Sequence, residues 1–137
     1  MSGRLLFADE YKDALLMWAF FLRVRGFDVR TARDGFSTLK IATEVVPDLI
    51  VMDLALPGID GCEVARRLRR MPRTSRIPIV ATTGSAHPAD LDEACSVGFA
   101  RIMIKPCEPT RLVEEIERAL SAHYVLGRSS GDHRSIH

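Results

Sequence analysis

The sequence predicts an α/β domain with a parallel sheet covered by helices on both faces. Three observations predict it. Short apolar runs alternate with stretches of helical period along most of the chain. Each run ends abruptly in polar residues. The chain has 137 residues, 47% of them hydrophobic, which is enough for one folded core without metals or a disulfide framework.

Residues 5–8, 49–52, 77–81 and 102–104 are the clearest strands, being short, apolar and rich in Ile, Val and Leu. They run into Asp9-Glu10, Asp53, Thr82-Thr83 and Lys105-Pro106 respectively. Residues 28–32 form a weaker fifth strand. Helical period covers 13–25, then 36–45, which follows Asp34-Gly35 and stops before Pro47. It returns at 61–71, where Val64, Leu68 and Met71 are spaced by four and three. A fourth helix over 89–97 is stopped by Gly98, and a fifth over 110–123 places Leu112, Val113, Ile116, Ala119 and Leu120 on one face. Strict β-α alternation gives right-handed crossovers and a parallel sheet. Residues 1–125 are expected to form the domain, and 126–137 a polar tail that frays.

A net charge of +1 argues against a dedicated nucleic-acid binder. Three cysteines, an odd number without a C-x-x-C pair, argue against a disulfide framework or zinc ribbon and fit a reducing cytoplasm. The longest apolar run, 14–22, is about half a membrane span, and no secretory leader pattern opens the chain. A soluble cytoplasmic protein without a membrane partner is expected.

In open parallel sheets, sites form outside the carboxyl ends of the strands. Those ends supply Asp9, Glu10, Asp53, Thr83 and Lys105. Three crowded carboxylates repel unless a cation sits among them, and a hard divalent ion such as Mg2+ prefers oxygen ligands. Lys105 adds a fixed positive charge and Thr83 a hydroxyl donor. This set suits phosphoryl transfer, in which a carboxylate oxygen attacks phosphorus while metal and amine neutralise its oxygens.

The segment "DLIVMDLALPGIDG", residues 48–61, resembles the phosphoacceptor segment of response-regulator receiver domains. "LLFADE" resembles their first strand with its acidic pair, "IPIVATTG" the fourth strand with its switch threonine, and "IMIKP" the fifth strand with its lysine-proline. The similarity spans residues 4–124. It implies the flavodoxin-like, doubly wound sheet of order 2-1-3-4-5 with five helices, as in chemotaxis-type single-domain receivers. It implies that Asp53 accepts a phosphoryl group from a histidine kinase or phosphotransfer protein. Asp9, Glu10, Asp53 and the backbone carbonyl of Ala55 would hold Mg2+, Thr83 and Lys105 would contact the phosphoryl oxygens, and the Lys105-Pro106 bond would be cis. The chain would be no enzyme beyond loading and unloading its own phosphoryl group, and it would act by switching a downstream protein partner. Three positions depart from the family pattern. Glu10 stands where aspartate is commoner, Ile102 where the switch aromatic falls, and Cys107 where phenylalanine is common. Ala55 and Ser85 leave small gates beside Asp53 and Thr83.

Two rival readings remain. One is a receiver-like docking module without phosphate turnover, supported by Glu10 and Ile102. The other is an aspartyl-nucleophile phosphatase of the haloacid-dehalogenase kind, opposed by Ala55, since that family needs an acid there.

The first helix is apolar all round. If Ala14, Met17, Trp18 and Phe21 face the core, Leu15, Leu16, Ala19 and Phe20 are left partly exposed, as a surface for a partner or a second copy or as a face covered by neighbouring elements. Arg66, Arg67, Arg69 and Arg70 sit opposite Val64 and Leu68, as a solvated face or a dock for an acidic partner. Asp60-Gly61 reads as helix entry, and Cys95 as a small hydrophobe on the fourth helix. His87 and His123 read as surface residues, and His133 and His137 lack a second ligand pair for metal.

Overall fold

A computed structural model describes residues 3–84 and 95–135, with side chains through 123. The strands are β1 (Gly3–Ala8), β2 (Phe27–Ala32), β3 (Leu49–Asp53), β4 (Ile79–Thr83) and β5 (Arg101–Ile104). The helices among the described residues are α1 (Lys12–Val24), α2 (Gly35–Val45), α3 (Gly61–Arg70) and α4 (Pro109–Ser135). All strand pairs are parallel, in the order β2-β1-β3-β4-β5. This is the flavodoxin-like, doubly wound sheet. The predicted helix over 89–97 lies mostly outside the described residues, as do Ser85 and His87. Cys95 at its end is helical. The last helix passes the predicted boundary at 123 and continues to Ser135.

Side-chain alternation on the central strands divides the core in two. On β1 and β3, Leu5, Phe7, Leu49 and Val51 face a cluster shared with α1 and α4. Leu6, Ala8, Ile50 and Met52 face one shared with α2 and α3. Every residue of β3 is buried, because the strand has neighbours on both edges and helices on both faces. Asp34 caps α2 by accepting from Ser37 N at 2.7 Å. That hydrogen bond holds its carboxyl below the ordinary value of 3.8. Asp60 caps α3 in the same way, accepting from Glu63 N at 2.9 Å, so Asp60-Gly61 is helix entry.

Four expectations are corrected. First, α1 buries Leu15, Trp18, Ala19 and Leu22, not the face that begins at Ala14. Leu15 and Ala19 are 4% and 1% exposed, whereas Leu16, Met17 and Phe20 are 56%, 54% and 71% exposed. Trp18 stacks on Phe7 of β1 with ring centroids 5.9 Å apart, and that contact fixes the roll of a helix apolar on every side. Second, β4 runs two residues later than predicted. Ile77 N bonds back to Thr74 O in the preceding turn, while Thr82 and Thr83 pair with Asp53 and Ile104. Third, Arg69 is not part of a solvated face. It donates to Val97 O at 3.1 Å, Ser75 O at 3.3 Å and Ile77 O at 2.8 Å. Burial pushes its pKa down, yet an arginine stays charged. Its neighbours Arg66 and Arg67 pair with Glu63 at the surface. Fourth, Cys62 of α3 and Cys95 are paired as a disulfide with Cα atoms 5.2 Å apart. Odd cysteine number and wide spacing hid a pair that only the tertiary fold brings together.

Candidate phosphoacceptor site

The sheet register collects the polar residues at one edge. Asp9 follows β1, Asp53 ends β3, Thr83 ends β4 and Lys105 follows β5. Backbone hydrogen bonds continue the ladders past these ends: Asp9 N to Ala32 O at 3.1 Å, Leu54 N to Thr82 O at 3.0 Å, and Lys105 N to Thr83 O at 2.7 Å. These polar side chains therefore project from a hydrogen-bonded rim.

Lys105 is the centre of the arrangement. Its Nζ donates to Asp53 Oδ2 at 2.9 Å and to Asp9 Oδ2 at 3.0 Å. The carboxylate side chains are only 6% and 4% exposed, the lysine 31%. Burial by itself lowers the pKa of Lys105. The hydrogen bonds and charges of Asp53 and Asp9 outweigh that, so it lies above the ordinary 10.5. The outer oxygens are held too. Asp9 Oδ1 accepts from Tyr11 N and Asp53 Oδ1 from Ala55 N, each at 2.9 Å. The Lys105-Pro106 bond is cis.

Glycine at 61 is a requirement of this packing. A Cβ there would lie 2.8 Å from the carbonyl oxygen of Asp53 and 2.8 Å from Leu54 Cα. The first residue of α3 therefore sits directly on the backbone that carries Asp53.

The structure brings Asp9, Asp53 and Lys105 together and buries Thr83 at the end of β4. Glu10 is half-buried, and its carbonyl accepts from Arg33 Nε at 3.2 Å and Nη2 at 3.1 Å. Among the described residues, no three acidic, histidine or cysteine side chains are close enough to hold a metal. Ala55 is exposed and Ile102 half-buried. Two neighbours were not singled out from sequence. Arg33 clamps the acidic loop, and the Tyr11 ring lies 5.8 Å from Lys105 Nζ. Tyr11's place beside the acidic pair was a usable signal; the reach of Arg33 from β2 was not. A cavity of about 390 Å3 opens beside the site, lined by Asp9, Met17, Trp18, Lys105, Pro106 and Cys107 among others.

Residues 5–117 match the family described as the response regulator receiver domain. The chain is 30% identical over 116 residues to the response regulator PleD of Caulobacter vibrioides, covering 85% of this chain and 26% of PleD. It is 33% identical over 120 residues to the DNA-binding response regulator MtrA of Mycobacterium tuberculosis, covering 88% and 51%. It thus spans about half or less of the length of these curated relatives. The chemotaxis response regulator CheY4 of Vibrio cholerae superposes with a TM-score of 0.81 at 26% identity, covering 87% of this chain and 99% of that one. NtrX from Brucella abortus superposes at 0.85 with 27% identity, covering 98% and 30%.

Removing the ammonium leaves two buried carboxylates facing each other. Lys105→Gln is expected to lower unfolding free energy by about 2 kcal/mol at pH 7, less than for a fully buried pair because the amine is partly in water. Because the folded pKa is raised, the contribution is complete below 10.5 and fades as pH rises through the folded value. Urea unfolding of both proteins from pH 7 to 11 should show the gap holding up to the ordinary lysine value and beginning to narrow only above it.

Proposed function

Because the chain belongs to the response regulator receiver domain family, a family of signalling domains in two-component systems, we propose that Asp53 is its phosphoacceptor. The observation that carries this reading is the buried Asp53 carboxylate held 2.9 Å from the Lys105 ammonium, with Asp9 on the same amine. A histidine kinase or phosphotransfer protein supplies the phosphoryl group. An Asp53 oxygen attacks phosphorus, and the donor nitrogen leaves with the electron pair of the broken bond. Lys105, already bonded to Asp53, follows the charge onto the new phosphoryl oxygens. Thr83, at the end of the adjacent strand, supplies a hydroxyl to them.

The donor set fits a hard divalent cation. Two buried carboxylates share one ammonium, which leaves net negative charge on oxygen ligands. Asp9 and Asp53 would hold Mg2+, with Glu10 and the Ala55 carbonyl as further ligands. When bound it neutralises charge on the transferred group. The chain's own chemistry is limited to gaining and losing this phosphoryl group. A cytoplasmic setting goes with this reading of the family. Among the described residues no helix is long and apolar enough to cross a membrane.

The partner surface belongs on the corrected face of α1. Leu16, Met17 and Phe20 are exposed there, and Met17 also lines the cavity beside Asp9 and Lys105. A phosphodonor docked on this ridge would reach Asp53. A second reading, a docking module without phosphate turnover, has one observation in its favour. Ile102 offers no ring to couple Thr83 to the surface of β5.

Two experiments separate these readings. With Mg2+ and a small acyl-phosphate donor, intact mass should show one phosphoryl adduct, lost in Asp53→Asn and on chelation of the metal. No adduct from any donor, a cognate kinase included, would establish the docking module. Leu16→Glu combined with Phe20→Lys should slow transfer from a kinase at least tenfold while uptake from the small donor stays unchanged. Unchanged kinase transfer would remove α1 from the interface.

A further inference from the structure

The Cys62–Cys95 pair lies outside the phosphoacceptor site, yet it is tied to it through the fold. Cys62 is the second residue of α3, half-buried, in the first turn after the Asp60 cap. Cys95 is 0% exposed and stands five residues before the backbone bond that joins Ala100 N to Ile79 O on β4. Their Cα separation of 5.2 Å falls within the range a disulfide spans without moving the backbone. The first residue of α3, Gly61, packs on the carbonyl of Asp53. Arg69 on the same helix grips Val97 O at 3.1 Å. The bond therefore fastens the chain entering β5 to the helix that rests on the phosphoacceptor strand.

We propose that Cys62 and Cys95 form a reversible thiol–disulfide couple that exchanges with small disulfides and dithiols. The exposure difference orders the steps. The Cys62 thiolate, on the more accessible of the two sulfurs, attacks a small disulfide and expels one thiolate, leaving a mixed disulfide on Cys62. The buried Cys95 thiolate then attacks the Cys62 sulfur and expels the second thiolate. The two protein thiols lose two electrons and two protons, and the small disulfide becomes two thiols. A dithiol reverses the sequence. Cys107, half-buried on the other side of the sheet, takes no part. A consequence for signalling rests on Asp53 being the phosphoacceptor. The oxidised tether holds α3, whose first residue rests on the Asp53 carbonyl, against the approach to β5, so oxidised protein takes up the phosphoryl group several-fold more slowly than reduced protein.

The test equilibrates the full chain in glutathione buffers of graded ratio, traps thiols with an alkylating agent and reads mass and peptide map. Expected are one label on the oxidised chain, at Cys107, three on the reduced chain, and a Cys62–Cys95 peptide that reappears after each cycle. Three labels at every ratio, or a bond involving Cys107, would overturn the couple. Phosphoryl uptake from a small donor should differ between the redox states and become redox-insensitive in Cys62→Ser and in Cys95→Ala. Equal uptake in both states overturns the restraint. No uptake in either state removes the phosphoacceptor reading and the restraint with it, while the labelling pattern still decides the couple.

Discussion

The ammonium of Lys105 between the carboxylates of Asp9 and Asp53 is the contact on which the arrangement depends. Two ionised carboxylates with almost no exposure repel strongly unless a cation sits between them. Three strands of the sheet therefore end in groups that make structural sense only in each other's presence. The parallel topology makes this affordable in backbone terms. β1, β3 and β5 deliver Asp9, Asp53 and Lys105 to the same rim, and the ladder hydrogen bonds just beyond β1, β3 and β5 hold it in place.

That rim has one amine for two acids, so a residual negative charge persists at the surface of the fold. On the proposed function, that charge is what a metal and a phosphoryl group together would meet. The elements packed nearest to Asp53 are also those most exposed to outside influence. The residue that begins α3 touches its carbonyl, and the exposed ridge of α1 borders the cavity beside Lys105. Input and restraint can both reach Asp53 over short distances, whereas the route through β5 carries Ile102 in place of a ring.

Much of this was legible in the sequence because strand ends announce themselves. An apolar run broken by Asp53, or by Lys105-Pro106, fixes both the strand and the place of the polar group. Asp34 and Asp60 were equally readable as entries to helices. What the sequence hid were choices made by tertiary contacts. A helix apolar on all sides does not declare its roll; the Trp18–Phe7 stack settles it, burying Leu15 and Ala19 and turning Met17 outward. Arg69 looked like its surface neighbours until the chain around Val97 and Ile77 closed over it. Cys62 and Cys95 are 33 residues apart and meet only because α3 and the approach to β5 lie side by side. Glu10 reads as half of an acidic pair, but no spacing announced that Arg33 would clamp its carbonyl.

The central claim is that the carboxylate bonded to Lys105 at the end of β3 takes the phosphoryl group. An acyl phosphate is open to hydride reduction where a free carboxylate is not. Treating the phosphorylated chain with borohydride and mapping its peptides tests the claim directly. The account predicts homoserine at position 53 alone, in proportion to phosphoryl loading. Homoserine at position 9 or another aspartate, the longer amino alcohol at a glutamate, or neither in a chain that carries phosphoryl, would contradict it.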